Sequence, residues 1–215
     1  RSKLKPPTNV SWFWVIFGFA FLVRLLHLWR IEAIPLFYNL PGDGHAYDER
    51  AQRIAAGNGV GQGGLYQAPL YPYFLGLLQF IFGHNLCLIR LLQCLLGALF
   101  CALIFWVGRS WFSLSAGIAA GLVLACYAPA IFFDALIEKS ILDLGLLCLL
   151  LFLLINVDSS KVWAKWLGSG VVLALLGLSR ENALILTPVI GLWLWFKGAD
   201  QQKLGIERPV GLELL

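Results

Sequence analysis

Acidic and basic side chains are concentrated in one polar segment between two long apolar stretches, PGDGHAYDERAQRIAAGNGV at 41–60. Its titratable residues include Asp43, His45, Asp48, Glu49, Arg50 and Arg53. A carboxylate can take a proton from a reacting hydroxyl, and an arginine can bind a phosphate through its forked donors. The segment therefore holds candidates for a catalytic base and for a phosphate-binding group.

One helical face runs through this segment, at Asp43, Tyr47, Ala51 and Ile54. The spacing predicts a short amphipathic helix over about 44–56, with Asp43 as its N-cap and glycines at its end. Free N–H groups at the helix start favour an ionised Asp43, although an N-cap without a catalytic role fits the same pattern. We interpret the other charges as surface groups in contact with solvent or lipid headgroups, namely Asp48, Glu49, Arg50 and Arg53.

A second polar site, FFDALIEKSILD, interrupts apolar sequence at 132–143. Asp134 and Glu138 are four residues apart and are predicted to share a helix face, while Lys139 has the spacing to neutralise Asp143. Ionisable residues at or within a membrane span usually face a cavity. Glu138 is therefore a second functional candidate.

A third site is GLSREN at 177–182, which divides one long apolar run into a helical hairpin. Its Arg180 could bind a phosphate, although an arginine that snorkels to the headgroups fits the spacing equally well. Arg24 and His27 lie deep in the first apolar stretch, three residues apart and thus on one face. We expect their partners to be among the same acids, in a structural ion pair.

Membrane helices must position these sites, because 60% of the residues are hydrophobic, 13% are charged and the mean hydropathy is +0.79. Continuous apolar runs favour helices over the alternating strands of a barrel. We predict an all-α polytopic transmembrane bundle of about six spans. The predicted spans are 11–31, 86–107, 112–130, 140–157, 163–179 and 182–197.

The apolar stretch PLYPYFLGLLQFIFG at 69–83 is too short to cross comfortably, and its prolines and tyrosines favour an interfacial or re-entrant helix. Residues 1–215 then form a single transmembrane module with a long outer loop at about 32–85 and a cytoplasmic tail at 198–215. Because the chain starts at Arg1 and contains no Met, we expect it to be processed, truncated or only a part of a longer protein.

The positive-inside rule orients the module. If 69–83 is interfacial, nine basic residues fall on the cytoplasmic side: Arg1, Lys3, Lys5, Arg109, Lys161, Lys165, Lys197, Lys203 and Arg208. The three polar sites then share the outer side. The basic residues form no nucleic-acid patch, and the five cysteines lie in apolar runs as packing residues, three of them on one face at Cys87, Cys94 and Cys101.

The order of these motifs resembles the N-terminal half of the GT-C membrane glycosyltransferases, in the branch of protein O-mannosyltransferases and lipid A aminoarabinose transferases. A first-loop acid is followed by Tyr and Ala, as in Asp43, Tyr47 and Ala51, and a Pro-rich aromatic segment leads to an Arg-Leu-rich span that contains Arg90. Glu138 falls where the family often has an acid in its second outer loop. LGLSRENALILTP resembles a Gly-x-x-x-Arg-Pro span junction.

Two departures from the pattern concern ligands. Gly44 follows the first-loop acid where a second acid is common, which argues against a DxD-type metal site, so a divalent metal is not favoured and no cofactor is firmly implied. Gln67 stands where some members have a Lys, which leaves binding of the donor phosphate unassigned.

The resemblance implies transfer of a sugar from a polyprenyl-phosphate carrier to a lipid, glycan or protein acceptor, with inversion, at the outer face of the membrane. This face is periplasmic or extracellular, or lumenal in a eukaryotic source, and we expect a bacterial inner membrane. It implies Asp43 as general base and Glu138 as the acid that positions the acceptor or a basic side chain. Candidate binding residues are Arg180, Arg53, His45, Tyr47 and Gln67. Other membrane subunits are conceivable partners.

Two other classes of function remain open. A transporter module would use Arg24, His27, Glu138 and Asp143 to line an ion pathway, but broken mid-membrane helices and an inverted repeat are not found in the sequence. A non-catalytic subunit or scaffold would keep the fold and lack part of the site.

Overall fold

The structure is a computed structural model that describes residues 9–34, 37–40, 42–59, 68–155 and 162–193. All regular structure in these ranges is helical, which confirms the all-α prediction. The α-helices are α1 Asn9–Glu32, α2 Asp43–Ala55, α3 Leu70–Phe82, α4 Leu86–Trp111, α5 Leu114–Ala125, α6 Ala128–Asp134, α7 Ser140–Leu154 and α8 Val162–Ser179. A 3-10 helix, Glu181–Ile185, follows α8 and continues as helix to Trp193.

Two helices are long and apolar enough to cross a membrane, Ser11–Glu32 and Leu86–Trp111. The segment predicted as one span at 112–130 is instead a pair, α5 and α6, bent by 55°. The bend has a chemical cause, because Pro129 lacks an N–H and fits the first turn of a new helix better than the middle of an old one. If this bent pair counts as one span, the described residues contain three candidate membrane spans. The count of six spans stays a prediction.

The outward surface of α1 is apolar and exposed. Trp14, Leu22 and Trp29 are each more than half exposed, at 60%, 55% and 68%. Such a surface in water would be costly, whereas in a bilayer it meets lipid tails. Together with the two long apolar helices, it shows an integral membrane protein.

Helix α4 is the central element, and it packs against α1, α5 and α7. Gly117 of α5 allows a close approach, since a Cβ there would lie 2.6 Å from the Phe105 carbonyl oxygen of α4. Cys94 and Cys101 are fully buried in α4, as expected of packing residues, while Cys87 is exposed. All five cysteines are free thiols.

A buried ion pair crosses the bundle from α1 to α6. Arg24 Nε lies 2.7 Å from Asp134 Oδ2, and both side chains are almost completely buried. The prediction that Arg24 has an acidic partner is confirmed. His27 packs near Phe132, and its Nε2 has no hydrogen-bond partner among the described residues.

Gly97 of α4 makes the space for this pair. A Cβ at this position would overlap the Asp134 carboxylate and lie 2.7 Å from Arg24 Nε. Both partners are enclosed by helices, so a larger residue forces the two charges apart in a medium that solvates neither.

We predict that Gly97→Ala lowers the free energy of unfolding by about 3 kcal/mol or more, the cost of breaking a buried pair. The measurement is an unfolding titration in mixed detergent micelles. Gly18→Ala is the matched control, because a Cβ at Gly18 of α1 meets nothing within 4 Å. This variant should be at least as stable as the wild type, since alanine favours a helix interior over glycine. Equal stability of both variants would contradict the importance of the pair.

Candidate functional site

Helix α2 presents the first candidate acid at its N-terminus. The helix starts at Asp43, with Gly42 as N-cap at φ 58° and no side-chain cap. The prediction of Asp43 as N-cap is therefore wrong by one residue, because Gly42 adopts a positive φ that Asp rarely takes. Asp43 is exposed in the first turn and still lies at the positive end of the helix dipole. Gly57 and Gly59 lie just beyond the helix end, as predicted, and both have a positive φ.

Asp48 does not lie on the surface, contrary to the prediction. It is 8% exposed and accepts hydrogen bonds from Gln79 Nε2 at 2.7 Å and Gln52 Nε2 at 2.8 Å. His84 Nε2 lies 2.9 Å from its Oδ2. Asp48 thus joins α2 to the end of α3, through partners more than thirty residues away in sequence that local spacing does not reveal.

A cavity of about 360 Å³ opens beside the start of α2. Its walls come from the end of α1, the segment before α2, the first turns of α4 and residues 132–138. Most of the lining is apolar, and the charged groups in it are Arg90 and Glu138. Gly44 also lines it, so the adjoining Asp43 stands near its rim.

Glu138 is half-buried in this cavity and does not share a helix face with Asp134. The prediction of a shared face is wrong because α6 ends at Asp134 and α7 begins only at Ser140. Burial raises the pKa of Glu138 above its usual 4.5, and the negative charge of Asp43 raises it further. The backbone N–H of Lys139 opposes these effects by donating to the carboxylate.

Arg90 is a site residue that the spacing arguments missed. Its side chain is 1% exposed, with Nη1 donating to the Phe37 carbonyl at 2.6 Å and the guanidinium stacked 4.1 Å from the centre of the Phe37 ring. Its Nε and Nη2 are buried without a hydrogen-bond partner in the part of the chain that the structure describes. The sequence feature that could have identified Arg90 is its position as a single arginine near the start of an apolar span.

Tyr47 lies beneath the site as a core residue. It is 1% exposed and packs edge-on against Tyr71, with ring centres 5.0 Å apart. Burial, and then the charges of Glu138 and Asp43, raise the pKa of Tyr47 to about 12. It therefore stays protonated at neutral pH and offers little surface to a ligand, although it was predicted as a binding residue.

Arg180 belongs to a second cluster. Its Nε lies 2.9 Å from Asp143 Oδ2, and the Ser179 hydroxyl donates to the other oxygen of Asp143. Lys139 donates instead to the Ser179 carbonyl at 3.1 Å. The predicted Lys139–Asp143 pair is wrong, because the turn after α8 brings Arg180 to that carboxylate. Arg180 and Asp143 line a separate, more open cavity of about 350 Å³.

The remaining predicted binding residues lie elsewhere. His45 and Arg53 are exposed on α2, and Arg53 is paired with Glu49 at 2.6 Å. Gln67 lies outside the described residues. Among the residues that are described, no three His, Cys, Asp or Glu side chains form a group that could hold a metal ion.

Comparison with protein families gives one match. The family model for dolichyl-phosphate-mannose-protein mannosyltransferases covers residues 66–207, which include Arg90 and Glu138. No curated protein and no solved structure matches the chain.

We predict that Asp43→Asn lowers the pKa of Glu138, because it removes a neighbouring negative charge that disfavours ionisation. Infrared titration of isotope-labelled glutamate, with the band assigned by its loss in Glu138→Gln, measures this pKa. Glu49→Gln is the control, since Glu49 is exposed and paired with Arg53, and it should leave the pKa of Glu138 unchanged. An unaltered pKa in Asp43→Asn would mean that the two acids do not interact.

Proposed function

The chain belongs to the dolichyl-phosphate-mannose-protein mannosyltransferase family, and from this premise we propose that it transfers a sugar from a polyprenyl-phosphate donor to an acceptor, with inversion. Family membership identifies a membrane glycosyltransferase, whose donor sugar is linked to a lipid carrier and whose product is a glycosylated acceptor. The carrier, the stereochemistry and the residue roles are our proposal.

The observation that carries the proposal is the cavity shared by Glu138 and the partly unpaired guanidinium of Arg90. Sugar transfer from a phosphate carrier needs a cation to stabilise the departing phosphate and a carboxylate to take a proton. Two nitrogens of Arg90, Nε and Nη2, have no partner in the described part of the chain. A buried guanidinium in this state favours an anion, because unpaired buried donors cost free energy. The apolar walls suit the first part of a lipid chain.

In the proposed reaction Asp43 is the general base. The oxygen of the acceptor hydroxyl forms a bond to the anomeric carbon as the bond from that carbon to the phosphate oxygen breaks. The hydroxyl proton goes to Asp43, and the electron pair leaves with the polyprenyl phosphate. Attack opposite the leaving group inverts the anomeric carbon.

Glu138 orients the acceptor hydroxyl in this scheme. Its raised pKa means that it holds a proton to a higher pH than an ordinary glutamate. It can therefore donate a hydrogen bond in its protonated form and accept one when ionised. Its place in the cavity wall, close enough to Asp43 for the two charges to interact, supports a positioning role.

Arg90 is proposed to bind the donor phosphate, in preference to the arginines that the sequence suggested. Arg53 and Arg180 are each more than half exposed and already paired with carboxylates. A paired, solvated guanidinium gains less from a phosphate than a buried one with free donors.

Two features support a site at the membrane surface. Helix α3 is short, and Phe80 and Ile81 are exposed on it at 74% and 58%, which suits a helix lying at the lipid boundary beside the donor headgroup. The positive-inside pattern supports placing this end on the outer side of the membrane, and we propose a bacterial inner membrane as its location.

We predict that Asp43→Asn lowers the rate of sugar transfer by about 100-fold or more, the usual contribution of a general base. The assay mixes purified protein in lipid vesicles with a panel of radiolabelled polyprenyl-phosphate sugars and candidate acceptors. Glu49→Gln changes an exposed acid on the same helix and should retain wild-type activity. Wild-type activity in Asp43→Asn, with both variants folded, would overturn the assignment of the base.

A further inference from the structure

We infer that Gln93 is a positioning residue that fixes the segment carrying Glu138, residues 135–139. The inference rests on the proposed function in giving Glu138 a role in the reaction. Gln93 lies one turn after Arg90 in α4, and its side chain is completely buried. It does not line the cavity, so it acts through the segment that does.

The side-chain amide of Gln93 uses its donor end to hold this segment. Its Nε2 donates to the Leu136 carbonyl at 2.8 Å and lies 3.4 Å from the Asp134 carbonyl. Asp134 is the last residue of α6 and Leu136 lies just beyond it, where backbone oxygens have no partner in a next helical turn. Glu138 is two residues beyond Leu136, so the position of its carboxylate depends on this contact.

Tyr71 of α3 binds the acceptor oxygen of this amide. The Tyr71 hydroxyl donates to Gln93 Oε1 at 3.1 Å, and Tyr71 is fully buried. Burial raises the pKa of Tyr71 well above its usual value of 10, so the hydroxyl keeps the proton that it donates. Because this bond occupies Oε1, the amide presents its N–H groups to the carbonyls and does not flip.

The arrangement connects three elements that the sequence keeps apart. Tyr71 belongs to the short apolar helix α3, Gln93 to the central helix α4, and Leu136 to the segment between α6 and α7. The segment is also approached by α2, since a Cβ at Gly44 would lie 3.2 Å from the Ile137 carbonyl oxygen. A displacement of α3 is thus transmitted to the neighbourhood of Glu138 through one buried amide.

The test replaces Gln93 by Met, which keeps the approximate length of the side chain and removes both hydrogen-bonding groups. Gln79→Met is the matched control, because Gln79 is 5% exposed and its amide bonds to Asp48 on α2, away from Glu138. Gln93→Met loses the bonds to Leu136, Asp134 and Tyr71, and Gln79→Met loses the bond to Asp48, so both variants are expected to be less stable than the wild type. Only Gln93→Met should change the pKa of Glu138.

Two readouts separate positioning from general stability. In Gln93→Met, infrared titration should show the pKa of Glu138 moving down towards 4.5 as the segment loosens and water reaches the carboxylate. In the same variant kcat should fall by about 100-fold, the scale expected for a misplacement near 1 Å, with a smaller change in KM. Gln79→Met should keep both values close to those of the wild type.

Tyr71→Phe provides a second route if Gln93→Met does not fold. It removes one oxygen and should shift the pKa of Glu138 in the same direction by a smaller amount. An unchanged pKa in Gln93→Met and Tyr71→Phe, or an equal shift in Gln79→Met, would overturn the inference. The infrared measurement does not need turnover, so a wild-type protein without transferase activity, whose Glu138 still responds to Gln93→Met, would refute the proposed function and support the positioning role.

Discussion

A charge buried in an apolar bundle must have a partner, and the Arg24–Asp134 pair meets this requirement at the centre of the fold. The pair ties α1 to the end of α6 across the space that Gly97 leaves open on α4. Removing either partner would leave the other charge buried and uncompensated. The backbone after Asp134 is therefore anchored at its start, and the segment that carries Glu138 begins from a fixed point.

The same constraint separates structural charges from candidate functional ones. Asp48 is bonded to Gln79 and holds α2 on α3. Asp143 and Arg180 are paired with each other and hold α7 to the end of α8. Arg90 differs because it is as buried as Arg24, yet no carboxylate among the described residues bonds to it. Its Nη1 donates to one carbonyl, and its guanidinium stacks on an aromatic ring. A phosphate would complete its coordination. This contrast, more than the presence of any motif, supports placing the donor site at this end of the bundle.

Helical spacing predicted the parts of the fold in which the chain stays helical. It indicated α1, α4, the end of α2 and an acidic partner for Arg24. It was wrong about Asp134 and Glu138 because it assumed one helix across a break, and wrong about Lys139 because a turn brought Arg180 closer to Asp143. Asp48 and Gln93 owe their roles to residues from 22 to 43 positions away. Spacing on a single helix contains no information about such contacts.

Photo-cross-linking of polyprenyl phosphate would test most directly whether the Arg90–Glu138 cavity is the donor site. A photoreactive amino acid is placed at Leu40, which lines this cavity, or at Leu186, which lines the cavity beside Arg180. Both leucines are half-buried, so they form a matched pair. We predict that a radiolabelled polyprenyl phosphate cross-links at position 40, that unlabelled carrier competes, and that Arg90→Gln abolishes the product. Cross-linking at position 186 alone, or at position 40 without any effect of Arg90→Gln, would contradict the account.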